Sequence, residues 1–442
     1  MGFFTKVKEA VNFSFFRKKL EYYDFFSGTT NWKDCVSVIL SLLKFDGLQN
    51  GRYIEKYEEV SANYHGLKYA FSFASGRMSL YAILKSLGIG RNDEVILPAY
   101  NCVVCPNAIL YTGAKPIYVD IDKENFNINP KKIEEKITKK TKAIMVQHTF
   151  GFPCDMDKIQ KISNKYHIPI IEDCAHALGG EYKGKKLGSI GIASFFSSDH
   201  TKIISTSTGG MVLTDDEKLA KKIKEIYTQS PFLPKLTILR VLFTFISENF
   251  LWNPHLAFIG RWIVALFWKF PFFFFLDENK IQRPINYPYP ARLSNIQAKI
   301  GIRQMEKLDD NISFRRKIAK EYNKIFDLYK EQFENNNNTK KHTFLRYTFL
   351  INDLENIKYF RNKYRKYVYL GDWFNSIAHG RTDSLDKINY TIRDCPIAEY
   401  VSRHNVNLPT HQKINDPKIM LELANELLKS KAIIKNNDIQ IK

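Results

Sequence analysis

The 442-residue chain has only six cysteines, Cys35, Cys102, Cys105, Cys154, Cys174 and Cys395, scattered along its length. Such dispersal excludes a disulfide framework and fits free thiols in a reducing compartment. Cys102 and Cys105 form a single CxxC, with no second pair and no histidines at ligand spacing, so no metal role is expected. The chain also has no apolar run of the ~20 residues that a membrane-spanning helix needs. The nearest approach, 262–276, is broken by Lys269 and Pro271. Charges interrupt the first apolar residues before a signal sequence could form, so the expected location is the cytoplasm or the cytoplasmic face of a membrane. Acidic residues are scarce, 46 against 66 basic ones, a net charge of +20. With 14% aromatics, that excess points to an anionic partner, either nucleic acid or a membrane surface. The basic residues form no recognisable nucleic-acid module, and nucleic-acid binding is not expected. Ordinary values of 44% hydrophobic and 25% charged residues exclude disorder. At roughly 100–200 residues per domain, two or three domains are expected.

Between 68 and 215, short β-rich runs alternate with helical patterns. Strands are predicted at 70–74, 94–98, 116–122, 143–147, 169–172, 193–197 and 210–214, and helices at 79–88 and 155–166. This alternation predicts an α/β layer fold with a mostly parallel sheet, whose ligands bind beyond the C-terminal ends of the strands. The helical pattern of 292–333 leads out of this large domain. The tract 334–341 reads as a loop, and 343–351, 353–364, 368–370 and 417–431 predict a smaller α+β domain. The expected division is an N-terminal basic and aromatic segment at 1–44, a large domain at 45–230 and an insert at 231–280. A helical return follows at 281–333 and a small C-terminal domain at 334–442. No internal repeat is present.

The densest chemical constellation lies between Glu172 and Gly210. One apolar strand runs into Glu172-Asp173-Cys174-Ala175-His176, and the next into Ser197-Ser198-Asp199-His200-Thr201-Lys202. A strand-end carboxylate and a strand-end lysine facing one crevice are the inventory that pyridoxal 5'-phosphate (PLP) demands. The lysine forms the Schiff base, the carboxylate holds the ring nitrogen protonated, and backbone donors cradle the phosphate.

The order and spacing of seven motifs resemble the DegT/DnrJ/StrS family of PLP-dependent sugar aminotransferases, which have the fold-type I architecture. The motifs are Ala-Ser-Gly-Arg at 74–77, Val-Ile-Leu-Pro-Ala-Tyr at 95–100, Pro-Ile-Tyr-Val-Asp-Ile-Asp at 116–122, Ile-Glu-Asp-Cys-Ala-His-Ala at 171–177, the run 194–202, Arg-Leu-Ser-Asn-Ile-Gln-Ala at 292–298 and Leu-Pro-Thr-His at 408–411. Carried over by position, the resemblance implies that Lys202 is the Schiff-base lysine and proton shuttle. It likewise implies that Asp173 pairs with the ring nitrogen and that His176 lies near the phenolic oxygen. Ser75, Gly76, Arg77 and Ser197 would form the phosphate site. The family's ring-stacking aromatic falls at Cys102, which leaves Tyr100 as a candidate for that task, with core packing as its other reading. Where the family has an asparagine reaching a neighbouring subunit's phosphate, this chain has Pro290, and Arg77 is the expected replacement. The implied reaction is transfer of an amino group from an amino-acid donor, glutamate by resemblance, to a keto-sugar by a homodimer. A PLP-dependent sugar dehydratase, whose relatives carry histidine in place of the lysine, and a catalytically silent PLP-binding membrane scaffold are the alternatives.

The segment 231–276 falls outside these motifs. It holds eleven Phe and three of the five Trp, with Lys235, Arg240, Arg261 and Lys269 against a single acid, Glu248. It reads as a lodged hairpin or interfacial segment that docks on an anionic membrane, with a protein interface as the alternative. Residues 3–20 repeat the pattern, with Phe3, Phe4, Phe15 and Phe16 among Lys6, Lys8, Arg17 and Lys18.

Overall fold

The computed structural model describes residues 22–25, 28–44, 47–251, 253, 260, 273–274, 284, 286–334 and 339–434. The N-terminal segment 3–20 and most of 252–283 lie outside the described residues. Seven strands, β1 (Tyr69–Phe73), β2 (Glu94–Pro98), β3 (Lys115–Val119), β4 (Thr141–Gln147), β5 (Ile170–Asp173), β8 (Ala193–Ser197) and β9 (Gly210–Thr214), form one sheet in the order β1-β9-β8-β5-β4-β2-β3. Every strand predicted for the large domain is present, and β2, β8 and β9 keep their predicted bounds. The sheet is mostly parallel. Only β9 runs against its neighbours, pairing antiparallel with both β1 and β8, so the C-terminal ends of the other six share one edge.

Strands covered on both faces need apolar side chains at successive positions, and β2 to β5 supply them. Val95, Leu97, Ala143, Met145 and Ile171 enter one core, while Ile96, Ile144, Val146 and Ile170 enter the other. Helices start and stop where local chemistry dictates. Asp155 caps the helix Met156–Tyr166 by accepting the Lys158 amide, and His167 ends it at φ 54°, in the left-handed region. Glu181–Tyr182 (β6), Lys185–Lys186 (β7) and Lys340–Lys341 (β10) make a short accessory sheet.

The helices Asn295–Met305 and Leu308–Phe326 lead to a smaller unit, where β11 (Arg346–Ile351) lies between β12 (Asn405–Pro409) and β13 (Ile433–Ile434). Its own core gathers Tyr322, Phe326, Tyr347, Phe349, Phe360, Val406 and Leu423. Residues 368–370, expected to be extended, contribute only a bridge between Val368 and Tyr23. That bridge belongs to an N-terminal strap. Tyr23 donates its hydroxyl to the Asp416 carbonyl (3.3 Å) across 393 residues of sequence, and the His411 ring nitrogen Nε2 meets the Asp24 carbonyl.

The described part of the insert begins with the helix Lys235–Leu251, which packs against the helix Trp32–Leu43. The Phe273–Phe274 segment returns alongside it. The Phe274 amide donates to Thr244 Oγ1 (3.0 Å), and Arg240 donates to the Phe273 carbonyl (3.0 Å). Among the described residues, no helix is long and apolar enough to cross a membrane.

Candidate active site

Six strand ends open onto one edge, and the loops leaving them carry the candidate residues. Beyond β1, Ser75 takes an extended backbone and caps the helix Gly76–Ser86, its hydroxyl accepting the Met78 amide (3.4 Å). The first amides of a helix have no internal acceptors, so this helix start can receive an anion. A Cβ at Gly76 would come within 3.0 Å of the Phe196 carbonyl and of Ser197 Cβ, and one at Gly210 within 2.3 Å of Ser75. The two glycines let the helix start, the end of β8 and the start of β9 close around one point, with Ser197 beside it. This cradle fits a phosphate.

Asp173, at the end of β5, is 3% exposed. Its Oδ1 accepts the Ala175 amide (2.9 Å), and the Cys105 thiol lies 3.7 Å from Oδ2. Burial pushes its carboxyl above the ordinary value, against the pull of that amide and of Lys202. Among the described residues it has no ion-pair partner. A buried carboxylate that lacks a cation suits a protonated ring nitrogen, so the residues present fit PLP at both of its ends.

Lys202 is partly buried, and its Nζ sits 4.6 Å from the centroid of the Trp373 ring. Desolvation lowers its pKa, opposed by Asp199, Cys102 and Asp173. His176 stacks between Phe150 (5.6 Å, 2°) and Trp373 (5.6 Å, 26°), and its Nδ1 accepts the Phe150 amide (3.3 Å). Burial, reinforced by Lys202 and Arg346, holds it well below the ordinary histidine value. The ring is therefore neutral, with its proton assigned to Nε2 and free to be donated.

Tyr100 follows the second of its two readings. It is wholly buried, its hydroxyl donates to the Trp373 carbonyl (3.2 Å) and accepts the Phe374 amide (3.0 Å), and its ring meets Phe374 edge-on. A ring used up in joining the two units offers no face for stacking. Cys102, at the position of the missing aromatic, feels both Lys202 and Arg77 and pairs through its backbone with His379. His200 lies 3.5 Å from Asp199 and 3.5 Å from Glu248 of the insert helix, and so faces that helix.

Two residues that the sequence did not single out, Phe150 and Arg346, complete the site. Phe150, Trp373, Phe374 and His379 wall it with rings, and Arg346 lies 3.9 Å from the Trp373 centroid. A single charge inside the apolar run Phe344-Leu345-Arg346-Tyr347 was the available signal for Arg346.

A family model described as the DegT/DnrJ/EryC1/StrS aminotransferase family matches residues 32–231 and 277–421. GDP-perosamine synthase of Escherichia coli O157:H7 is 31% identical over 388 residues, covering 86% of this chain and 92% of its own. Among solved structures, Helicobacter pylori PseC, an aminotransferase involved in the biosynthesis of pseudoaminic acid, superposes with a TM-score of 0.70. It is 22% identical and covers 92% of this chain and 99% of its own. The Bacillus subtilis NtdA structure with bound cofactor PMP also has a TM-score of 0.70, at 22% identity and coverage of 93% and 86%. At that identity, the two structures speak for the fold.

Proposed function

The chain belongs to the DegT/DnrJ/EryC1/StrS aminotransferase family, and from that premise we propose that it aminates a keto-sugar, nucleotide- or lipid-linked, with L-glutamate as donor. It is a PLP-dependent sugar aminotransferase, a transaminase of sugar and glycan biosynthesis. The finer reading is of a homodimer making surface glycan at a membrane. The observation that carries the catalytic part is the meeting of Lys202, Asp173 and the Ser75-Gly76-Ser197 cradle at one sheet edge. Bound PLP supplies an electron sink for the charge left when a substrate C–H proton departs. Lys202 takes that proton at Nζ, and its lowered pKa keeps a basic fraction available. Asp173 holds the ring nitrogen protonated, and His176 donates from Nε2 to the phenolic oxygen. The aromatic wall excludes water from the exchange. A mass-shift screen of soluble and lipid-linked keto-sugars with glutamate tests this reading. No aminated product from any acceptor would refute it.

Arg77 occupies the second position of the helix whose start forms the cradle, and its charge reaches Cys102. In the proposed site it compensates for the lost asparagine at Pro290. A charge-assisted contact is worth roughly 1.5–3 kcal/mol, so Arg77→Ala should weaken PLP binding about tenfold to a hundredfold. Equilibrium dialysis of the cofactor checks it, and unchanged affinity counts against the role.

Membrane docking is supported by exposed apolar stripes on two helices that pack against each other. Trp32 (61% exposed), Val36, Ile39, Leu40 and Leu43 (68%) line one side of their helix at i, i+4, i+7, i+8 and i+11. Leu236 (70%), Leu239, Phe243 and Phe250 do the same on the insert helix packed beside it. Nearby Lys33, Lys44 and Lys235 would each add about 1 kcal/mol at an anionic surface. The double variant Leu239→Glu/Phe243→Glu should stop flotating with anionic liposomes while remaining a dimer by sedimentation. Dissociation of the dimer instead would make this face a subunit interface.

A further inference from the structure

Arg346 is the most conspicuous charge that the proposed chemistry does not use. It stands in the middle strand of the small unit, where all of β11 is buried, and is itself 4% exposed. Its guanidinium is sandwiched between Trp373 (3.9 Å to the ring centroid) and Phe25 of the N-terminal strap (4.1 Å). Planar stacking of this kind holds a guanidinium flat without neutralising it. Its one side-chain hydrogen bond among the described residues runs from Nη1 to Asn407 Oδ1 (3.3 Å), while Nε is buried with no partner. Asp24 and Asp372 act on it through space, but no carboxylate among the described residues makes an ion pair with it.

A buried cation is tolerated when it is paired, and breaking such a pair is costly. Here the charge is kept, pinned between two rings and left without its anion. The indole that pins it also carries Lys202 Nζ on its face, at 4.6 Å. A molecule reacting at Lys202 therefore passes within reach of a fork of N–H donors whose geometry matches a carboxylate.

We propose that Arg346 is a carboxylate-binding residue of the active site, held by Trp373 and Phe25 and positioned by Asn407, that receives the α-carboxylate of the amino donor. The inference rests on the aminotransferase reading above. It gives the donor a fixed pose: the amine faces Lys202 and the carboxylate faces Arg346, both against the Trp373 ring. The same chemistry would also receive the carboxylate of an acidic sugar, so the test has an arm for each source.

PLP-loaded protein is titrated with L-glutamate, L-glutamine and γ-aminobutyrate, reading the cofactor absorbance, with propionate and D-glucuronate as competitors. Losing one partner of a desolvated charge pair is expected to raise the half-saturating glutamate concentration about 100-fold in Arg346→Met. Arg346→Lys, which keeps the charge and loses the fork, should raise it about 10-fold. In the wild type propionate should compete with glutamate. γ-Aminobutyrate, which lacks the α-carboxylate, should react weakly and equally with wild type and variants. Unchanged glutamate saturation in both variants overturns the proposal. Competition by glucuronate that disappears in Arg346→Met, with glutamate unaffected, moves the carboxylate from donor to sugar. Should Arg346→Met fail to bind PLP, Arg346→Lys and propionate competition in the wild type decide, and absence of both effects refutes the site. A wild type blind to glutamate and glutamine would overturn the donor reading instead. Arg346 would then stand or fall on whether the variants lose glucuronate binding.

Discussion

Replacing Lys202 with alanine is expected to lower the glutamate-driven half-reaction by about four orders of magnitude, the upper range for removing a positioned acid-base group. Three features of its setting make the effect large. The lysine leaves a loop at the end of β8, at the shared strand edge that also carries Asp173. It is desolvated, which lowers its pKa and enlarges its basic fraction. Its Nζ lies over the Trp373 ring, 4.6 Å from the centroid, at the aromatic wall of the site. His200, two residues away, is engaged with Glu248 and Asp199. Single-turnover kinetics with glutamate, followed by the cofactor absorbance, provide the measurement. A Lys202→Ala rate within tenfold of wild type would exclude the lysine as the proton-transfer group. Rescue by added small amines would support it, because they replace the lost nitrogen without altering the fold.

The second large effect concerns stability. Glu172, directly before Asp173, is completely buried, and one Oε accepts the Gly188 amide (2.9 Å) and lies 3.1 Å from His148 Nε2. The other Oε accepts the amides of Ile190 (2.7 Å) and Gly191 (2.6 Å). His148 Nδ1 in turn accepts the Cys154 amide (3.1 Å), which assigns the histidine proton to Nε2, facing Glu172. His148, Glu172 and Cys174 lie close enough together to suggest a metal, but a carboxylate saturated by three amides and an imidazole has no lone pair to spare. The cluster ties β5 to the loop after β4 and to the turn that leads into β8. Glu172→Ala would leave these donors buried and unsatisfied, and breaking such a network costs about 3–5 kcal/mol. The urea midpoint should fall accordingly at fixed protein and PLP concentrations. Burial alone would raise the Glu172 pKa, but the bonds from His148, Gly191 and Gly188 outweigh it and hold the carboxyl below its ordinary value. The stabilisation is thus complete above the ordinary glutamate pKa of about 4.3. It fades as the pH falls through the folded-state value, so the gap between wild type and variant should close in acid. A gap that persists or widens in acid would contradict this account.

The strands of the large sheet were legible because each is a short apolar run closed by polar or turn-forming residues, as Glu94–Pro98 and Gly210–Thr214 illustrate. The antiparallel setting of β9 was not, since periodicity marks a strand without fixing its direction. Ser75, Asp173 and Lys202 were legible as candidates for a cofactor site because each lies at or within a few positions of a strand end. Phe150 escaped because nothing local marks it, and Arg346 because a lone charge in an apolar run marks a position without saying what it faces. Phe150 takes its place at φ 52° in a tight turn, and Arg346 gains its meaning only when Trp373 and Phe25 close over it. Tyr100 was ambiguous for the same reason: whether a tyrosine stacks on a ligand or ties two units together depends on a partner 273 residues away.

The N-terminal strap carries a consequence for synthesis. Tyr23 and Asp24 are seated by Asp416 and His411, with 393 residues separating the first pair. At the roughly 5–20 residues per second of a ribosome, Tyr23 and Phe25 wait on the order of half a minute before their partners emerge. During that interval two aromatic side chains lack the contacts that seat them. The chain's beginning is thus among the last parts to be secured, and a chaperone that shelters it would be acting on the segment that roofs the guanidinium of Arg346.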